Sequence, residues 1–277
     1  DADAITSSNS GAVFAYQWFV DGTPANPANA VANAGNTSYT IAVDDFGKVI
    51  TVKATDTSGN FSGESVSAVT AAVSAKEFVL ASVGLNAADL VYNGEATRTV
   101  AATLTSLPAG YLAEAIVTFT SANKDATPSA ITVKVYDKED AEKTAVPGYV
   151  ASETSISSVL SSINTKKITE KELTNTDLDD ADAVVFTKTY DGTALTAGDT
   201  TANVTVSESA LADGDSCGVS IASISGMSGT DVSGGTMNGT ATLTLTNNNY
   251  KWADGSGTID VTGQITAREL TFGVLTA

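Results

Sequence analysis

The chain contains no histidine. That absence removes Ser-His-Asp and Cys-His catalysis, together with any His-ligated metal centre. Cysteine is almost as scarce. Cys217 stands alone, so no internal disulfide can form, and its setting in "DGDSCGVSI" reads as a small buried apolar residue beside a strand. Positive charge is thin: 14 Lys and Arg face 32 Asp and Glu, for a formal net charge of −18. Such a surface is repelled by phosphate backbones and anionic lipid, so neither nucleic-acid binding nor membrane insertion is expected. No apolar run approaches the ~20 residues of a membrane-spanning helix. Aromatic residues make up only 6%. That is too few to line the cleft a two-carboxylate glycosidase needs, and no enzyme is expected. No signal-peptide pattern stands at Asp1, so an exported form is expected to show its mature part here.

What the chain has in quantity is strand chemistry. Its 277 residues are 42% hydrophobic, enough for real cores and two or three domains. "SYTIAV" (38–43), "KVITVKAT" (48–55), "AITVKVYD" (130–137), "ANVTVSES" (202–209) and "TATLTLTN" (240–247) alternate apolar with polar residues. That period of two puts one face on a core and the other in water. Val, Ile and Thr suit pleated, half-buried surfaces. Between these segments lie turn clusters such as "DTSGN", "MSGTDVSGG" and "ADGSG". "SETSISSVLSSI" (152–163) spaces Ile156, Val159, Leu160 and Ile163 as one helix face, or else forms a Ser-rich loop dipping into the core. Short strands with frequent turns predict an all-β chain of sandwiches.

A hexamer recurs: apolar, Ser or Thr, any residue, Lys or Arg, Glu, then Leu or Phe. It reads "VSAKEF" from Val73, "ITEKEL" from Ile168 and "ITAREL" from Ile265, intervals of 95 (168 − 73) and 97 (265 − 168). "VYNG" at Tyr92 and "TYDG" at Tyr190 keep nearly the same step, 98 (190 − 92). Each reads as a strand running into a tight turn. Two signatures at one period indicate tandem units. The hexamer is then a seam, a short charged hinge between two buried apolar anchors. The expected domains are residues 1–75, 76–172 and 173–270. Residues 271–277 are expected to be the first strand of a further domain, or to complete a sheet in a neighbouring copy by β-augmentation.

The first unit, with "YQWFVDG", "SYTI", "DDFGK" and "ITVKAT", resembles bacterial immunoglobulin-like surface domains. The resemblance implies a sandwich with Trp18 as core tryptophan and Tyr39 facing it, and without the antibody-type cysteine pair. The last unit, with "FTKTYDGT" (186–193), "NNNYKW" (247–252) and "GQITARELTF" (263–272), resembles the YDG and MBG-type repeats of large bacterial surface proteins. The middle unit resembles them through "LVYNGEAT" and "INTKKITEKELT", and departs across 134–163. This likeness implies three tandem immunoglobulin-like β-sandwich domains in an elongated array. It implies an extracellular, cell-surface spacer of an S-layer, filament or stalk, partnered by copies of itself or by neighbouring domains. Two alternatives remain at this point: an adhesin module binding cell-wall or host glycans, and a phage virion decoration.

Carboxylates are the only plentiful reactive groups. The densest cluster is "TDLDDADAV", with Asp177, Asp179, Asp180 and Asp182. Ca2+ prefers several carboxylate and carbonyl oxygens, so these four are the candidate calcium ligands at a domain junction. Asp213 with Asp215, and Asp137 with Glu139 and Asp140, are lesser clusters that read as turns. Trp18, Phe19, Tyr250 and Trp252 are the aromatic candidates for a sugar platform; their strand neighbours favour core packing for the tryptophans. Lys188 and Lys251 are candidates for an isopeptide bond to a core Asn, which the resemblance to surface folds implies.

Overall fold

Alternating Val, Ile and Thr build the strands that make up most of the regular structure among the described residues. The computed structural model describes residues 11–25, 38–60, 62–200 and 202–271. The described residues form strands in several sheets with one α-helix, an all-β, sandwich-like fold. The expected terminal strand falls largely at 272–277, outside the described residues; Thr271 is coil.

The chain divides into two compact units. One gathers Asp1–Gly84, Thr99–Ile116 and Ile131–Ser162; the other gathers Leu85–Arg98, Val117–Ala130 and Ile163–Ala277. The seams expected near 75 and 172 therefore lie inside the units.

In the first unit, β1 (Phe14–Val20), β2 (Thr23–Pro24), β3 (Ile50–Asp56) and β4 (Glu64–Val66) form an antiparallel sheet ordered β2-β1-β3-β4. Trp18 is buried there with Ala25, Ile50 and Val52, and Tyr39 and Val73 pack against them. The Trp18 and Tyr39 rings stack at 5.9 Å. The strand expected at 38–43 does not form. Tyr39 makes a lone bridge, and the chain turns into a 3-10 segment at Val43–Asp45. The buried Asp45 carboxylate explains the turn, because it accepts from the Tyr39 hydroxyl and the Ala42 N–H, both at 2.8 Å.

A five-stranded sheet follows, ordered β8-β7-β6-β5-β9. It comprises β5 (Lys76–Val83), β6 (Thr97–Thr105), β7 (Tyr111–Phe119), β8 (Pro128–Asp137) and β9 (Tyr149–Ala151). Strands β6, β7 and β8 contribute residues to both units. Phe78, Leu80, Leu104, Ala115 and Val135 are buried in its first-unit part. On the first unit's β7, Glu114 is buried between Lys134 and Lys143, each at 2.9 Å. The Ser-rich segment is the helix α1 (Glu153–Ile163), with Val159 and Ile163 buried. Its buried Ser155 hydroxyl donates to Ser152 O and accepts the Leu80 N–H, so a polar face meets β5 without an unpaired donor.

The second unit contains β10 (Lys171–Leu173), β11 (Leu178–Asp179), β12 (Val185–Thr189), β13 (Thr205–Val206), β14 (Val219–Ser225), β15 (Met237–Leu245), β16 (Tyr250–Trp252) and β17 (Thr258–Thr266). Its main sheet is ordered β12-β17-β15-β14, with β12 parallel to β17; β10 pairs with β16 and β11 with β13. Phe186, Leu243, Ile259 and Ile265 fill the core. The strand expected at 202–209 shrinks to β13, because a 3-10 turn at Glu208–Ala210 ends it.

Candidate functional site

The seams are where the sequence repeats, and the structure gives two of them one geometry. In the second unit the hexamer at 168–173 buries both apolar ends, Ile168 and Leu173. Its charged middle is held by ion pairs: Glu170 to Lys124, and Glu172 to Lys251 at 3.1 Å. Lys171–Leu173 is β10, paired in parallel with Tyr250–Trp252. The ladder is bounded by Lys171 N–H to Asn249 O and Ala253 N–H to Leu173 O, both 2.9 Å. In the first unit Lys76–Phe78 pairs in parallel with Tyr149–Ala151. Lys76 N–H donates to Gly148 O at 2.7 Å and Ser152 N–H to Phe78 O at 2.8 Å. Phe78 is buried, and Val73 packs on the Trp18 core. Each seam thus feeds a Lys-Glu-Phe/Leu strand against a Tyr-led strand that the chain supplies much later.

Sequence reasoning missed Tyr149–Ala151 as the counterpart of Tyr250–Trp252. The one shared letter is the leading tyrosine. In the first seam Tyr149 packs edge-on to Phe78 at 5.2 Å and to Tyr111 at 5.1 Å. A glycine precedes it for a steric reason. A Cβ at Gly148 would lie 2.7 Å from the Phe46 ring, and φ there is +77°.

The second seam carries a polar lock. Tyr92, of "VYNG", donates its hydroxyl to Asp215 Oδ2 at 2.8 Å, and Tyr250 donates to the same oxygen at 2.9 Å. Ser216 N–H and Asn247 Nδ2 complete the shell of the Asp215 carboxylate. The two tyrosine rings meet edge-on at 5.4 Å. Burial opposes charge on Asp215, but the hydrogen bonds from Tyr92, Tyr250, Ser216 and Asn247 outweigh it and hold the carboxyl below its usual range. Burial, with the carboxylate alongside, pushes the Tyr250 phenol up to about 12, although the Ala212 N–H opposes the shift. Asn249 adds a second tie. Its Oδ1 accepts Lys124 N–H at 2.8 Å, and its Nδ2 donates to Asn123 Oδ1 at 3.0 Å.

The "VYNG" loop is shaped from beneath by Arg98. Its buried guanidinium donates to the carbonyls of Asp89, Val91, Glu95 and Thr97, at 2.6 to 3.2 Å, and its flat face lies 5.7 Å from the centre of the Phe119 ring. Burial lowers its pKa, partly offset by Asp89 and Glu95. Carbonyl oxygens satisfy the fork where no carboxylate pairs with it directly.

The other candidates are placed as follows. Asp177 Oδ2 accepts from Thr174 N–H and Thr174 Oγ1, at 2.7 and 2.8 Å, closing a 3-10 turn. Asp179 lies in β11, Asp180 adopts φ 59°, and Asp182 sits in the next 3-10 turn. Among the described residues no group of three or more His, Cys, Asp or Glu is placed to hold a metal ion. Asp137 and Asp140 cap their own turn through the N–H groups of Glu139, Glu142 and Thr144. Lys188 binds Asp191 at 3.0 Å, inside the "TYDG" turn, and that ammonium with the Thr193 donors draws the Asp191 carboxyl down to about 2. Lys251 binds Glu172. Cys217 is buried, and burial raises its thiol pKa. Trp18, Tyr250 and Trp252 are buried, and Phe19 is half-buried. No helix among the described residues is long and apolar enough to cross a membrane.

No protein-family model, no curated protein and no solved structure matches the chain.

Proposed function

We propose that the chain is a non-catalytic structural module of an exported prokaryotic surface protein, built from three tandem immunoglobulin-like β-sandwiches. It acts as a spacer of an S-layer, filament or stalk. The observation that carries this reading is the repeated seam. Twice, a hexamer starts a strand that pairs in parallel with a Tyr-led segment; the second buries both Ile168 and Leu173, and the first buries Phe78 with Val73 half-buried against the Trp18 core. A hinge pinned at both ends restricts rotation between successive domains, as a spacer requires. Burial of the two tryptophans supports packing over sugar recognition. The net charge of −18 suits a hydrated outer surface.

Electron microscopy of the purified chain tests the proposal. Sheets or fibres support a lattice role, and isolated rods a stalk. A single globule would refute the tandem reading.

A further inference from the structure

The last hexamer stands in the same backbone setting as the second. Tyr92 donates its N–H to Thr169 O at 2.9 Å, and Val91 faces Thr169 in a parallel bridge. Tyr190 donates its N–H to Thr266 O at 2.8 Å, with Thr189 facing Thr266 in parallel register. Ile168 and Ile265 are both buried. Up to this point the two ends match.

Beyond it they part. Tyr92 is 6% exposed and Leu173 1%, whereas Tyr190 is 38% exposed and Leu270 76%. A Cβ at Gly94 would approach Ala212 Cβ at 3.1 Å, while one at Gly192 would meet nothing within 4 Å. Three positions that contact the Asp215-bearing domain in one copy are therefore uncovered in the other, on a surface that shares its backbone pattern.

We propose that the face carrying Tyr190, Gly192 and Arg268–Glu269–Leu270 docks a further β-domain of the kind that contains Asp215 and Tyr250. The partner is defined by its chemistry. It offers a carboxylate to accept the Tyr190 hydroxyl, a tyrosine to meet that ring edge-on, and a Tyr-x-apolar strand to pair in parallel with Arg268–Leu270. Among the described residues, the two Tyr-led strands that pair in parallel with a hexamer strand are already taken, β9 by Lys76–Phe78 and β16 by Lys171–Leu173. The occupant is therefore an additional domain that brings such a strand. This inference rests on the tandem reading above.

The test lengthens the intact chain. Residues 174–277 are appended directly after Leu270, with Tyr190→Phe in the added copy so that one Tyr190 peptide arises. Nitration by tetranitromethane is then mapped by peptide mass in the original and lengthened chains, with Tyr92 as internal reference. Docking predicts that Tyr190 reacts readily in the original chain and falls about tenfold or more in the lengthened one. Asp215→Asn or Tyr250→Phe in the added copy alone should restore part of its reactivity. Equal Tyr190 reactivity in both chains, with Tyr92 protected, overturns the docking proposal and leaves the tandem reading standing. Tyr92 reacting as fast as Tyr190 in the original chain would instead undo that reading. An added copy that stays unfolded by amide exchange overturns the proposal, because the docking face is then insufficient. So does dimerisation of the original chain with loss of Tyr190 reactivity, which would make a second copy the occupant.

Discussion

Replacing Leu173 with alanine, and separately Leu270 with alanine, makes the same chemical change at the same place in two copies of one motif. The expected costs differ severalfold. Leu173 is 1% exposed, so truncation loses the transfer energy of three buried carbons, ~2.4 kcal/mol at ~0.8 per carbon. The cavity left beside Trp252, its partner across the ladder, raises the expected total to ~3–4 kcal/mol. Leu270 is 76% exposed; a quarter of the same transfer term gives ~0.6 kcal/mol, with no cavity to add. Urea unfolding in a Trp18→Phe background leaves Trp252 as the sole indole reporter of the second unit. The midpoint should move strongly for Leu173→Ala and barely for Leu270→Ala, at constant slope. If Leu173→Ala costs less than ~1 kcal/mol, or if both variants shift alike, the seam is not anchored as described.

Three other outcomes are expected. Tyr92→Phe keeps the edge-on ring and removes one hydrogen bond to a carboxylate, so urea unfolding should report a loss of ~1.5–3 kcal/mol. The lowered Asp215 carboxyl contributes stability above its unfolded value of ~3.9 and loses it as pH falls through the folded value. Wild type should therefore weaken below about pH 4 more steeply than Asp215→Asn, which melts lower at pH 7 and has a flatter acid limb in calorimetry. At Gly257 a Cβ would run into the Trp252 ring, with φ at +51°. Gly257→Ala should cost more than ~1 kcal/mol and red-shift indole emission as Trp252 is displaced.

Much of the seam was legible because its information is local. An apolar residue, a charged hinge and a second apolar residue are visible in six letters, and Ile168 and Leu173 are buried as that pattern requires. Trp18 and Tyr39 do stack as expected, although Tyr39 sits outside any regular strand. What was not legible is what the seam touches. The pairing of Lys171–Leu173 with Tyr250–Trp252 joins residues far apart in sequence, and nothing local to either marks the other. Asp215 reads as a turn acid in "ADGDS"; only the fold brings Tyr92 and Tyr250 to one of its oxygens. The segment 38–43 failed for the opposite reason. Its alternation is strand-like, but the Asp45 side chain competes for the Ala42 N–H that a ladder would have used.

The parallel pairing of β12 with β17 sets how unit two would respond to a pull applied between its two hexamers. Tension between Lys171–Leu173 and the last hexamer, at the end of β17, would draw β12 and β17 in opposite senses along their length. All five registered pairs, Val185–Thr262 through Thr189–Thr266, then lie in shear and must rupture together, where an antiparallel hairpin pulled at its open end would unzip one bond at a time.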